Sequence, residues 1–168
     1  MREAAEREFD AVVASRYDVL RRAALVLCGD SGHAEDLVQI TFLHLHRSWG
    51  KVANVDNLDA YLHVALVNAS RTWWRRRWHG EVATAALPEG PTGDDADSVA
   101  LHATLVTALG ELGSKHREVL VLRYLGELSE EETARALNTS VGTVKSRTSR
   151  ALAALRATGH FDLDRDAR

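Results

Sequence analysis

Three observations predict an all-α chain of two small helical domains. Ala, Leu, Arg and Glu dominate the composition, which favours helix over strand. Apolar residues recur at helical spacing through both halves. The two prolines, Pro88 and Pro91, stand together near the middle, so nothing else forbids long helices. Residues 80–97 hold both prolines and three glycines with little periodicity, and read as a flexible linker. The expected divisions are therefore 1–79, the linker 80–97, 98–160 and a short tail, 161–168. At 168 residues the chain has room for one ordinary domain or two small ones.

In the first half, Phe9, Val12, Val13, Tyr17, Leu20, Ala24 and Leu27 mark one helix, which Cys28-Gly-Asp-Ser-Gly-His33 breaks. A second helix is expected from about Ala34 to Trp49, and Gly50 to Asn57 form the next loop. A third places Leu58, Tyr61, Leu62, Ala65, Ala69 and Trp73 on one stripe and continues into Arg71-Thr-Trp-Trp-Arg-Arg-Arg-Trp78. Three such helices can share a compact core.

The second half predicts four shorter helices, the first from Val99 to Leu112 and the next from Lys115 to Leu125. Ser129-Glu-Glu-Glu132 has the capping-box form and starts the third, which ends near Leu137-Asn138. Thr139-Ser140 opens the last, with Val141, Val144, Thr148, Ala151, Leu152 and Leu155 inward.

Several function classes drop out. The lone Cys28 forms no internal disulfide and reads as a small buried hydrophobe near a helix end. His44 and His46 point to different sides of a helix, a poor ligand pair, so no metal or other cofactor is expected. No phosphate-binding glycine loop or nucleophile elbow is present, and Glu35-Asp36 diverge on a helix, so no catalytic residue is assigned. No apolar run approaches the ~18 residues of a membrane span and no signal peptide opens the chain, which predicts a cytoplasmic protein.

The net charge of −3 conceals segregation. Acidic residues gather at the N-terminus and around Glu89–Asp97. Between them lies the arginine-tryptophan run, and near the end stand Lys145, Arg147, Arg150 and Arg156. Two basic islands in an acidic background suggest two contacts with a polyanion.

Leu128 to Arg150 is a helix-turn-helix by spacing. Small Ala134 sits where the helices cross, a polar turn follows, and Val141 and Val144 anchor the second helix. That helix shows Ser140, Thr143, Lys145, Ser146, Arg147, Ser149 and Arg150 outward, groups suited to phosphates and guanine edges. The plainer reading is a solvated basic face on an ordinary helical hairpin.

Upstream text narrows the choice. Leu109-Gly-Glu-Leu-Gly-Ser-Lys-His-Arg-Glu-Val-Leu-Val-Leu-Arg-Tyr-Leu-Gly-Glu-Leu-Ser-Glu-Glu-Glu-Thr-Ala134 resembles region 4 of sigma factors. Ala34-Glu-Asp-Leu-Val-Gln-Ile-Thr-Phe-Leu-His-Leu-His-Arg-Ser-Trp49 is similar to region 2.2 of the extracytoplasmic-function (ECF) group, and Leu58 to Trp78 to regions 2.3 and 2.4. The likeness spans roughly Phe9 to Leu155, without the regions 1.1 and 3 of larger sigma factors.

That resemblance implies a factor that joins RNA polymerase core and starts transcription at two promoter elements. Asp36, Gln39 and Leu43 fall where the family meets the β′ clamp helices, against a plainer reading as a solvated face. Ile40 stands where the family usually has Glu, either weakening one contact or matching an altered partner. For the melted non-template strand of the −10 element, the resemblance implies the loop residues Asn54, Asp56 and Asn57. It also implies Asn68, Arg71, Trp73, Trp74, Arg75, Arg76 and Arg77, where aromatic faces stack on bases and arginines track phosphates. Trp73 lies on the buried stripe, whereas Trp74 and Trp78 divide between core and surface. For the double-stranded −35 element it implies Ser140, Thr143, Lys145, Ser146, Arg147 and Arg150. Lys145 and Arg147 are the main candidates for base or nearby phosphate contact, and Arg150 for the backbone. The β flap and an anti-sigma factor are the other implied partners; with so short a tail, control is expected from another chain. A regulator binding duplex operator alone, or a pure interaction protein, are the competing readings.

Overall fold

The computed structural model describes residues 2–78, 104 and 107–158, and all its regular elements there are helical. The chain divides into two compact units, Met1–Leu87 and Pro88–Arg168. The linker and the tail expected from the sequence lie outside the described residues.

The first unit is a three-helix bundle of α1 (Arg2–Cys28), α2 (Ser31–Val52) and α3 (Leu58–Trp78). Gly29, at φ 71°, ends α1 in the left-handed region, and its N–H donates to the Leu25 carbonyl at 2.8 Å. Asp30 follows as the N-cap of α2, its side chain accepting from the His33 N–H at 2.8 Å. This cap starts α2 at Ser31, earlier than the apolar period predicts, and the helix runs on through Gly50 to Val52. The expected Gly50–Asn57 loop therefore shortens to residues 53–57. Leu20, Leu37, Leu45, Leu62 and Leu66 are fully buried, each contributing roughly 1.5–3 kcal/mol by leaving water. Arg16 Nε lies 2.5 Å from Asp59 Oδ1, tying α1 to the start of α3; half-exposed, the pair sets register more than stability.

The buried face of α3 differs from the expected stripe. It consists of Leu62, His63, Leu66, Val67, Ala69 and Ser70, while Tyr61, Ala65 and Trp73 are half-buried. The reason is that α3 packs on both α1 and α2, so its core face is broad and turned from the line through Tyr61 and Ala65. His63 tolerates burial because its Nδ1 is 2.8 Å from the Asp59 carbonyl.

In the second unit, the expected Val99–Leu112 helix lies largely outside the described residues, though 107–110 are helical. The predicted Lys115–Leu125 helix is two structures: α4 (Ser114–Leu120) and a π turn (Val121–Leu125). The wider turn ends on Gly126, whose N–H reaches the Val121 carbonyl at 2.8 Å, and Arg123 Nη1 donates to the Leu128 carbonyl. Then come α5 (Glu130–Leu137) and α6 (Val141–Ala157), packed on each other and, through α6, on α4.

Candidate nucleic-acid interface

The α5–α6 pair owes its geometry to its caps. Ser129 Oγ accepts from the Glu132 N–H at 3.1 Å, and the Ser129 N–H donates to Glu132 Oε2 at 2.7 Å, the capping box read from the sequence. That backbone donor is the main cause holding the Glu132 carboxyl below the usual carboxylate range, with the Ser129 hydroxyl second. Asn138 closes α5 in the left-handed region, φ 50° and ψ 53°, and Ser140 caps α6 by accepting from the Thr143 N–H at 3.1 Å. Ala134 is buried at the crossing, and Val144, Ala151 and Leu155 bury the inner face of α6.

This leaves the outer face of α6 for contact. Lys145, Ser146 and Arg150 are exposed, and Thr143 and Arg147 are half-buried. Two candidate groups are already engaged: Ser140 Oγ lies 2.8 Å from Thr143 Oγ1, so those hydroxyls satisfy each other. Lys145 Nζ lies 3.6 Å from Glu130 Oε2, across the seam between the two helices.

In the first unit, Asp36, Gln39 and Leu43 lie together on the solvent face of α2, opposite buried Leu37, Val38, Thr41 and Phe42. Leu43 is 51% exposed and Ile40 38%, so this polar face also offers an apolar patch. The loop presents Asn54, Val55 and Asp56; Asn57 is exposed too, but its Oδ1 accepts from the Ala60 N–H at 2.9 Å and so caps α3. Val55, 39% exposed, stands between the two polar candidates as an apolar loop residue to which no role was assigned.

Along α3, Asn68, Arg75, Arg76 and Arg77 are exposed and Arg71, Trp73 and Trp74 half-buried; the Trp78 side chain lies outside the described residues. The tryptophans form a cluster. Trp73 meets Trp74 edge-on at 4.7 Å and His33 of α2 at 4.5 Å, and the Arg77 guanidinium stands 5.3 and 5.6 Å over the two indoles. A groove of about 520 Å³ runs between α2 and α3, with Ile40 and His44 on one wall and Asn68, Thr72, Trp73 and Arg76 on the other. No carboxylate of the described residues lines it. Three of the −10 candidates, Asn68, Trp73 and Arg76, thus share one concave surface, and the loop residues form a separate group.

The two halves match two known domains. Residues 12–80 match Sigma-70 region 2, and residues 102–155 match Sigma-70, region 4. The chain is 42% identical over 149 residues to the RNA polymerase sigma-E factor of Streptomyces coelicolor, covering 89% of this chain and 84% of that one. It is 32% identical over 148 residues to the ECF RNA polymerase sigma factor SigL of Mycobacterium tuberculosis, covering 83% and 82%. The chain belongs to the ECF sigma factors. Among solved structures, this sigma factor is similar to RpoE of Bartonella quintana, seen with the anti-sigma factor NepR. The TM-score is 0.72 and the identity 25%, over 93% of this chain and 99% of that one. It is also similar to CnrH, solved with the cytosolic domain of CnrY, at a TM-score of 0.65 and 26% identity over 99% and 96%. The sigma factor is therefore a transcription initiation factor, a partner of RNA polymerase core and promoter DNA, and not an enzyme. Among its described residues no helix is long and apolar enough to cross a membrane.

Proposed function

We propose that the two units divide promoter recognition between them in the cytoplasm. Residues 1–79 dock on the β′ clamp helices through Asp36, Gln39 and Leu43 and engage the melted non-template strand of the −10 element. Residues 98–160 read the double-stranded −35 element, with 80–97 as linker and 161–168 as tail. The observation that carries this is the α6 face: Lys145, Ser146 and Arg150 outward, with Val144, Ala151 and Leu155 holding the helix from behind.

Lys145 and Arg147 take the bases or nearby phosphates, and Arg150 holds the backbone. Ser140 and Thr143 contribute chiefly by stiffening the first turn, since their hydroxyls are bonded to each other. In the first unit Asn54 and Asp56 are available to a captured base, and Asn57 shapes the loop. Asn68, Arg71, Arg75 and Arg76 track the strand, while Trp74 and Arg77 form the rigid stack beside it. Tyr124 and Leu125, 54% and 41% exposed beside the helix-turn-helix, make an apolar patch suited to the β flap. Regulation by an anti-sigma factor fits the similarity to RpoE of Bartonella quintana, solved with the anti-sigma factor NepR.

Run-off transcription with purified core polymerase on a library of upstream regions tests this reading. Initiation from a shared two-element promoter is expected. Asp36→Ala should lower core affinity and leave promoter preference intact; Arg147→Ala should do the reverse. Duplex binding by the chain alone, with no core-dependent initiation, would overturn the division of labour.

A further inference from the structure

We propose that Glu130 is a specificity-determining residue of the helix-turn-helix. It holds Lys145 in an ion pair that a matched duplex displaces and a mismatched duplex does not. The inference rests on α6 being the helix that meets the −35 element.

Glu130 is the first residue of α5, and its carboxylate reaches across to α6, Oε2 lying 3.6 Å from Lys145 Nζ. The Glu130 side chain is 33% exposed and that of Lys145 63%, so the pair sits at the solvent edge of the seam, on the side offered to DNA. Its neighbours differ in role. Glu132 is bound in the capping box with Ser129, and Glu131 faces solvent. Of the three acidic residues opening α5, Glu130 is the one paired with a candidate DNA contact.

Sequence-independent binding to a duplex comes from Lys and Arg neutralising phosphates and releasing counterions. A lysine already paired with a carboxylate contributes less to that term. When it leaves, the carboxylate it uncovers faces the phosphates and repels them. A matched element gives Lys145 a fixed base edge or a phosphate in register, a partner able to replace Glu130. A mismatched duplex offers only the general phosphate field, and the pair stays closed. Glu130 thus acts against the wrong partner rather than for the right one. An exposed pair is weak enough for this exchange to be reversible.

The test uses holoenzyme reconstituted with the full chain: wild type, Glu130→Gln, Lys145→Gln, the double variant and Glu131→Gln as control. Each is mixed with a pool of randomised duplexes over a range of salt, and the retained DNA is sequenced. Glu130→Gln is isosteric, and a melting curve checks that the fold is unchanged. We expect it to retain about two- to fivefold more of the unselected pool at low salt. Its salt dependence should steepen by about 0.9 in the log–log slope, one more phosphate contact, and its selected upstream element should be less sharply defined. In the Lys145→Gln background the same change should do neither, and Glu131→Gln should behave as wild type. A Glu130→Gln variant with wild-type slope and selection overturns the proposal, as does an effect that persists undiminished without Lys145. If wild-type holoenzyme itself selects no upstream element, the reading of α6 fails and the inference falls with it.

Discussion

Thr133 occupies a costly position. It is fully buried in α5, and its hydroxyl meets no hydrogen-bonding partner among the described residues. An unsatisfied buried hydroxyl costs about 1–3 kcal/mol, and valine has nearly the same shape without the polar atom. Thr133→Val should therefore stabilise the second unit by about 1 kcal/mol, read as a rise of several degrees in its melting temperature. Glu132 supplies a pH-dependent counterpart. Its carboxyl is held below the usual range in the folded state by the Ser129 N–H, so its contribution is present above the unfolded pKa. That contribution is lost as pH falls through the folded pKa. The melting-temperature gap between wild type and Glu132→Gln should be open at neutral pH and close in acid. A gap constant across that range would remove the carboxylate from the capping box.

Among the described elements, the turn between α4 and α5 holds backbone strain. Glu127 has φ 53°, a region that suits glycine, directly after the π turn and Gly126. The conformation persists because Gly126 bonds back to Val121, Leu128 to Leu122, and Arg123 to the Leu128 carbonyl. Glu127→Gly should relieve this strain and stabilise by up to about 1 kcal/mol in a denaturant melt, since the side chain is exposed and the φ is positive. The capping box and the polar turn at Asn138 were legible because their partners lie within a few residues. The π turn was not, because Val-Leu-Arg-Tyr-Leu contains no residue that forbids the ordinary helical pitch. The α2 start is set by the cap at Asp30 and so precedes the first residue of the apolar period. The α3 stripe departs from its simple period because two partner helices share its face. The same division runs through the site. The types of residue on α6 and α3 could be read directly, but not which are already engaged: Asn57 in a cap, Ser140 with Thr143, Lys145 with Glu130, Arg77 on two indoles.

At the scale of the whole molecule, the candidate contact residues fall in two compact units, each with its own buried leucine and valine core. The arrangement makes loss of one contact surface distinguishable from loss of the other, since neither core contains residues of the opposite contact face. All four tryptophans, Trp49, Trp73, Trp74 and Trp78, lie in the first unit. Trp49 packs edge-on against Phe9, and Trp73 and Trp74 sit beneath the Arg77 guanidinium. Intrinsic fluorescence excited at the indole band is therefore an optical label confined to one half of the chain. It follows the unfolding of that half alone, while circular dichroism follows both. A ligand that reaches the arginine end of α3 should change the emission, whereas one that touches α6 alone should leave it dark to the spectrometer.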